Sequence, residues 1–168
     1  MKPLLFLTTL LGICLSAGAQ TQEETLQWIM SKINATHYAT NEFFDCTATN
    51  NGEAYHFQPV DLILSLPGHP YSLVAYEKIV NDNTPSRASS QADLYDLTNA
   101  RICDYCTYCG DHVPLILSFK QGTVKNTGIN NGDGIVLYLH WDAEPNLRDR
   151  MLKALLHLVE LQTPKQAF

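Results

Sequence analysis

The sequence has few basic residues and no run of them. It contains 11 Lys and Arg against 17 Asp and Glu in 168 residues, a formal net charge of −6. Nucleic-acid binding depends on clustered Lys and Arg, so this composition argues against a nucleic-acid partner. The sequence also lacks a G-x-S-x-G elbow, a phosphate-binding glycine loop, an H-E-x-x-H helix and a dinucleotide fingerprint. We therefore expect a protein without an enzymatic active site.

A long membrane-spanning run is absent too, but the first 19 residues have the features of a secretory signal peptide. A single lysine precedes an apolar stretch at residues 4–15, and the small residues Ala-Gly-Ala end at Ala19. The apolar stretch is shorter than the ~20 residues of a spanning helix. We predict cleavage after Ala19 and export to the periplasm or the cell exterior. The alternative, a lipid anchor on Cys14, is disfavoured by Ile13, because a lipoprotein signal has a small residue there.

Residues 20–168 are predicted to form one α+β domain. Loss of the first 19 residues, Lys2 among them, leaves 149 residues with a formal net charge of −7, a length that suits a single hydrophobic core. A capping box at Thr21 and Glu24 predicts a first helix over about 22–34. A second helix is predicted after Pro145. Its apolar stripe consists of Leu147, Met151, Ala154, Leu155, Leu158 and Leu161.

Alternating or short apolar runs between the helices predict about seven strands. Asn- and Gly-rich turns at 50–52 and 130–134 favour hairpins, and hence antiparallel pairing. The Ser- and Asn-rich stretch 81–92 is predicted to be a loop. We expect a curved antiparallel sheet or a partly open barrel, whose open end is closed by the C-terminal amphipathic helix.

Three segments carry a resemblance to a known architecture. "EETLQWIMSKI", "DLYDLTNARI" and "DAEPNLRDRMLKALLHLVEL" are similar to segments of small uncharacterised exported bacterial proteins with a pleckstrin-homology-like fold. The resemblance implies a helix, an antiparallel sheet and a final helix. It implies no ligand, because such sheets bind lipids, peptides and proteins alike. The basic phosphoinositide-binding residues of lipid-binding members have no counterpart here, so none is transferred.

The stretch "CDYCTYCGDH" at 103–112 raises the question of what the cysteines do. Cys103, Cys106 and Cys109 follow one another at a three-residue spacing, with Cys46 earlier in the chain and His112 just after them. Four cysteines in an exported domain favour structural disulfides, for which three complete pairings exist. The alternative is a zinc site made by the three clustered cysteines with Cys46 or His112 as fourth ligand, or a thiol redox centre. Redox catalysis is disfavoured because a predicted strand, and no helix N-terminus, follows the cluster.

Tyr95, Tyr105 and Tyr108 are candidate ligand-binding residues. Exposed tyrosines offer recognition surface at a low cost in rotamer entropy, although these three are also placed to shield the cysteines. We predict an exported, non-enzymatic binding or interaction domain for an unknown protein or glycan, without a cofactor and with structural cysteines. The zinc-binding or redox protein and a passive envelope component are the alternatives.

Overall fold

The computed structural model describes most of the chain after the predicted signal peptide. The described residues are 20–37, 46–50, 53–66, 69–81, 84–104, 106–108, 113–127 and 132–163. Side chains are described at 20–37, 71–75, 89–104, 113–127 and 132–163. The predicted signal peptide with Cys14 lies outside the described residues, as do Tyr105, Cys109 and His112.

The described residues form two α-helices and nine β-strands. Helix α1 spans Gln22–Thr36 and helix α2 spans Leu147–Gln162. The strands are β1 Cys46–Asn50, β2 Glu53–Leu66, β3 His69–Asn81, β4 Thr84–Asp93, β5 Leu97–Ile102, β6 Cys106–Tyr108, β7 Leu115–Phe119, β8 Lys125–Thr127 and β9 Gly134–Leu137. The predicted α+β class and the two terminal helices are confirmed.

The strands belong to two antiparallel sheets, so the expectation of a single sheet of about seven strands is not confirmed. One sheet has the order β6-β1-β2-β3-β4-β8 and the other the order β5-β7-β9. Neither closes into a barrel among the described strands. The chain passes from one sheet to the other through a 3₁₀ turn, Leu94–Asp96. The Asp93 carboxylate accepts the amide proton of Tyr95 at 2.9 Å and so ends β4 with a side-chain cap.

Strand β4 occupies the stretch that was predicted to be a loop. It pairs with β3 over its whole length, from Asn81 opposite Thr84 to Ser72 opposite Asp93. Ser and Asn are weak strand formers, but pairing with a long neighbouring strand satisfies their backbone groups and overrides that preference. The loop prediction is therefore wrong.

The core is formed by the two helices, the three-stranded sheet and the part of β3 and β4 that carries Leu73, Ala75 and Ala92. Helix α1 contributes Leu26, Ile29 and Ile33, all of them fully buried. Helix α2 buries Leu147, Met151, Leu155 and Leu158 at 0 % exposure. Most of the predicted stripe of α2 is thus confirmed, whereas Ala154 and Leu161 are half-buried at its margin.

The two helices begin in different ways. The capping box of α1 is confirmed: the Thr21 hydroxyl accepts from the Glu24 amide at 3.2 Å, and the Glu24 carboxylate accepts from the Thr21 amide at 2.8 Å. Asn146, the residue before α2, forms no side-chain cap and adopts a left-handed conformation with φ 54°. Its carbonyl accepts the Arg150 amide at 3.0 Å. Asn tolerates this conformation, so Asn146 is part of the turn that connects Glu144 to the first residue of the helix.

Candidate functional site

A groove of about 370 Å³ opens between α1 and α2. One wall comes from α1 and the chain just before it, and the other comes from the outer flank of α2. The residues that line it are Gln20, Trp28, Arg150, Lys153, Ala154 and His157. The groove therefore combines residues from the two ends of the predicted mature domain.

Helical periodicity explains the α2 wall. Arg150, Lys153, Ala154 and His157 have the spacing i, i+3, i+4 and i+7, which places them along one flank of the helix. The fully buried stripe of α2 lies on the neighbouring face. Docking of that stripe against the core holds the basic flank towards α1, and the single methyl group of Ala154 leaves space between the longer side chains.

Trp28 supplies the apolar part of the α1 wall. Its ring is partly buried and packs against the hydrophobic core. The guanidinium carbon of Arg150 lies 5.5 Å from the ring centroid, and the Lys32 Nζ atom lies 6.0 Å from it. Cations at such distances are attracted by the ring quadrupole of an indole. The aromatic and basic groups of the two helices thus form one continuous surface.

Glu144 ties this surface together from the turn before α2. Its Oε1 atom lies 2.5 Å from Lys32 Nζ, and its Oε2 atom accepts from Arg150 Nη1 at 3.1 Å. The hydrogen bond from Lys32, with the positive charges of Lys32 and Arg150, lowers the pKa of the Glu144 carboxyl although partial desolvation opposes the shift. Glu144 is therefore an anion that positions one cation from each helix.

The charges around the groove are not balanced. Lys32 and Arg150 share the single carboxylate of Glu144, and His157 Nδ1 lies 3.5 Å from Glu160. Lys153 is exposed and has no ion-pair partner within the described parts of the chain. The walls consequently carry surplus positive charge, in a chain whose overall charge is negative.

A second aromatic cluster lies on another face of α1. The Tyr71 hydroxyl donates to the Glu23 carboxylate, which also accepts from the Gln27 side chain at 2.9 Å. The rings of Tyr71 and Tyr95 meet edge to face, with centroids 5.7 Å apart. The Tyr71 hydrogen bond, followed by that of Gln27, lowers the pKa of Glu23, and the same bond to Glu23 raises the pKa of Tyr71.

The three predicted tyrosines are not shown as one surface. Tyr95 is 43 % exposed and rests against Tyr71 in the second cluster. Tyr108 lies in β6 opposite Thr47 of β1, and only its backbone is described. Tyr105 falls outside the described residues. The prediction that the three act together remains untested.

Three of the cysteines lie at the ends of described strands: Cys103 directly follows β5, and Cys46 and Cys106 begin β1 and β6. Cys103 is 5 % exposed and disulfide-bonded. Its backbone amide donates to the Pro114 carbonyl at 3.0 Å. Cys46 begins β1 and Cys106 begins β6, and these strands are neighbours in the six-stranded sheet. In the part of the chain with described side chains, no group of three or more His, Cys, Asp or Glu is arranged to hold a metal ion. The proposed fourth zinc ligand, His112, lies outside that part.

Sequence reasoning missed the groove residues. The spacing of Arg150, Lys153 and His157 was visible as a basic flank beside an apolar stripe, and Trp28 stood on the first helix. No local signal pairs the two helices, since they are separated by every strand of the domain. The packing of α1 against α2 was needed to bring Trp28 and Arg150 together.

The chain matches no family model, no curated protein and no solved structure. Its resemblance to exported proteins of pleckstrin-homology-like architecture therefore remains a prediction. Neither of the described helices combines the length and the apolar character needed to cross a membrane. The interpretation of the groove rests on its own chemistry.

Proposed function

We propose that the mature chain is an exported, non-enzymatic binding domain, and that the groove between α1 and α2 is its ligand site. One observation carries the proposal: Arg150 is held over Trp28 by Glu144, at the edge of an open cavity. Exposed ion pairs add little to stability, whereas an aromatic ring beside oriented hydrogen-bond donors is a frequent composition of recognition surfaces. An unknown protein or glycan that inserts one small group is the partner that we expect.

The chain contains two tryptophans, which provide an internal test. Trp28 borders the groove, while Trp141 is buried at 7 % exposure in the core. We expect ligands from a fragment library to shift the indole N–H signal of Trp28 in nitrogen–proton spectra and to leave that of Trp141 in place. A Trp28→Phe variant assigns the two signals. Binding that shifts neither signal, or only that of Trp141, would contradict a ligand site at the groove.

The cysteines belong to the proposal as structural disulfides. The burial and bonded state of Cys103 support this role, and the pairing of β1 with β6 favours a bond from Cys46 to one of the clustered cysteines. Two disulfides in the native exported protein would lower its intact mass by about 4 Da relative to the reduced chain, because each bond removes two hydrogens. Four free thiols with one stoichiometric zinc ion would instead establish the metal-binding alternative.

Export and the pleckstrin-homology-like relationship complete the proposal. The predicted cleavage point makes Gln20 the first residue of the mature chain, and Gln20 lines the groove. N-terminal mass spectrometry of the protein from its native host tests this, and we expect a start at Gln20 or at its pyroglutamate form. A helix packed on an antiparallel sheet at the end of the chain supports the architectural relationship.

A further inference from the structure

We propose that the groove recognises a monocarboxylate carried on a small ring, with Arg150 and Lys153 as the anion-binding groups and Trp28 as the apolar wall. This inference rests on the proposed function, because it names the ligand chemistry of the same groove. It goes further in that it assigns a charge, a size and two contact residues to the ligand.

Arg150 has N–H donors that no described residue accepts. A guanidinium carries five N–H groups in a planar fork, and among the described residues only Glu144 accepts from it, through Nη1. The Arg150 side chain is 45 % exposed and is kept in place by Glu144 on one side and the Trp28 ring on another. A preoriented, partly exposed guanidinium is suited to paired hydrogen bonds with a carboxylate.

Lys153 adds a second positive charge one helical turn from Arg150. The two residues have the spacing i, i+3 and line the same groove. Lys153 has no ion-pair partner in the described chain, and Glu144 already serves both Lys32 and Arg150. One additional anion between Arg150 and Lys153 would therefore meet uncompensated positive charge on both sides.

Size and overall charge restrict the ligand to a small monoanion. A volume of about 370 Å³ is near the lower end of the ~300–1,000 Å³ found for small-molecule sites, so it suits one ring-sized group. The formal charge of −7 without the signal peptide disfavours polyanions such as nucleic acids or highly sulfated glycans. The indole of Trp28 and the methyl group of Ala154 supply apolar surface for the body of the ring.

Titration of the mature protein, residues 20–168, with pairs of matched probes tests the ligand class. Benzoate is compared with benzamide, glucuronate with glucose, and inorganic phosphate serves as the third anion. We expect at least one carboxylate to shift the Trp28 indole signal and to bind at least about tenfold more tightly than its neutral partner, because a charged hydrogen bond is lost in that partner. Comparison of the affinities for benzoate and glucuronate shows whether the groove prefers an aromatic ring or a sugar ring.

A charge-reversed pair of variants tests the residues. Lys153→Glu should weaken binding of the preferred carboxylate by about tenfold through charge repulsion, while leaving the fold intact because the side chain is exposed. Lys125→Glu is the matched control: Lys125 is an exposed lysine of β8 outside the groove, and its change should leave the affinity unaltered. Arg150→Gln should weaken binding as much as Lys153→Glu or more.

Several outcomes would overturn the inference. If benzoate binds at Trp28 no more tightly than benzamide, and glucuronate no more tightly than glucose, the groove remains a ligand site but is not a carboxylate site. Phosphate binding more tightly than either carboxylate would assign another anion, and equal losses in Lys153→Glu and Lys125→Glu would reduce the effect to overall charge. If library fragments shift Trp28 and no carboxylate does, only this inference fails. If nothing shifts Trp28, the proposed function fails with it.

Discussion

Helix α1 carries an aromatic–charged cluster on each of two faces, and the clusters differ in what they leave exposed. At one, the Tyr71 hydroxyl and the Gln27 amide both donate to Glu23. At the other, Glu144 accepts from Lys32 and Arg150 beside Trp28. Each has a carboxylate at its centre, but the first satisfies its donors whereas the second leaves cationic donors beside a cavity.

The difference separates a structural contact from a recognition surface. Tyr71 and Gln27 are each able to donate to Glu23 without leaving a charged donor exposed, so the first cluster serves to join α1 to β3. Arg150 and Lys153 keep donor capacity that no described carboxylate uses. A guanidinium that is held in place beside an aromatic ring and keeps free donors is suited to binding an anionic group.

The largest effect is expected from breaking the support beneath the groove. Leu155 and Leu158 are completely buried under α2, so Leu155→Ala or Leu158→Ala should cost about 2–5 kcal/mol in the free energy of unfolding. Urea unfolding followed by circular dichroism measures it. Lys153→Ala is the control on the exposed flank, and we expect almost no change. Similar small losses at all three positions would mean that α2 is not docked as described.

A smaller loss is expected from the first cluster. Tyr71→Phe keeps the ring that meets Tyr95 but removes the hydroxyl that donates to Glu23. The variant should lose some stability relative to the wild type, but clearly less than Leu155→Ala loses. It should bind groove ligands with unchanged affinity. Thermal unfolding and the Trp28 indole titration measure the two properties. A weakened ligand affinity in Tyr71→Phe would erase the distinction between the clusters.

The same cluster should make stability depend on pH in two ranges. The folded-state pKa of Glu23 is lowered by Tyr71 and Gln27, so its contribution is present above the unfolded-state pKa and is lost as the pH falls through the folded-state value. The folded-state pKa of Tyr71 is raised by the bond to Glu23, so its contribution is lost as the pH rises through that value. Unfolding free energies measured across both ranges should depend less on pH in Tyr71→Phe than in the wild type.

The smallest change in stability is expected at the second cluster. Glu144→Gln removes the charge between Lys32 and Arg150 but retains an oxygen that is able to accept one hydrogen bond. Arg150 is exposed, whereas Lys32 and Glu144 are half-buried. Salt screens such pairs in part, so the variant should differ from the wild type more at low ionic strength than at high ionic strength. Chemical unfolding at low and high salt checks this. A difference that persists unchanged at high salt would show that Glu144 acts through something other than charge.

The structure and the sequence agree where neighbouring residues decide the outcome. The capping box at Thr21 and the buried Leu155 and Leu158 follow from local hydrogen bonding and helical spacing, so both were predicted. The Ser-rich β4 was missed because its conformation depends on pairing with β3. The division into two sheets was missed for a related reason: the turn after Asp93 redirects the chain by a side-chain cap that resembles an ordinary loop signal.

Hydrophobic periodicity and capping act over a few residues, so the α+β class, the two amphipathic helices and the buried face of α2 follow from local sequence patterns. The strand order and the groove depend on contacts between residues that are far apart in the chain. Trp28 and Arg150 are separated by the entire set of strands, and their contact arises from the packing of α1 against α2 on a shared core. The same basic flank on an isolated helix would be a solvated surface, and the opposing indole turns it into one wall of a site.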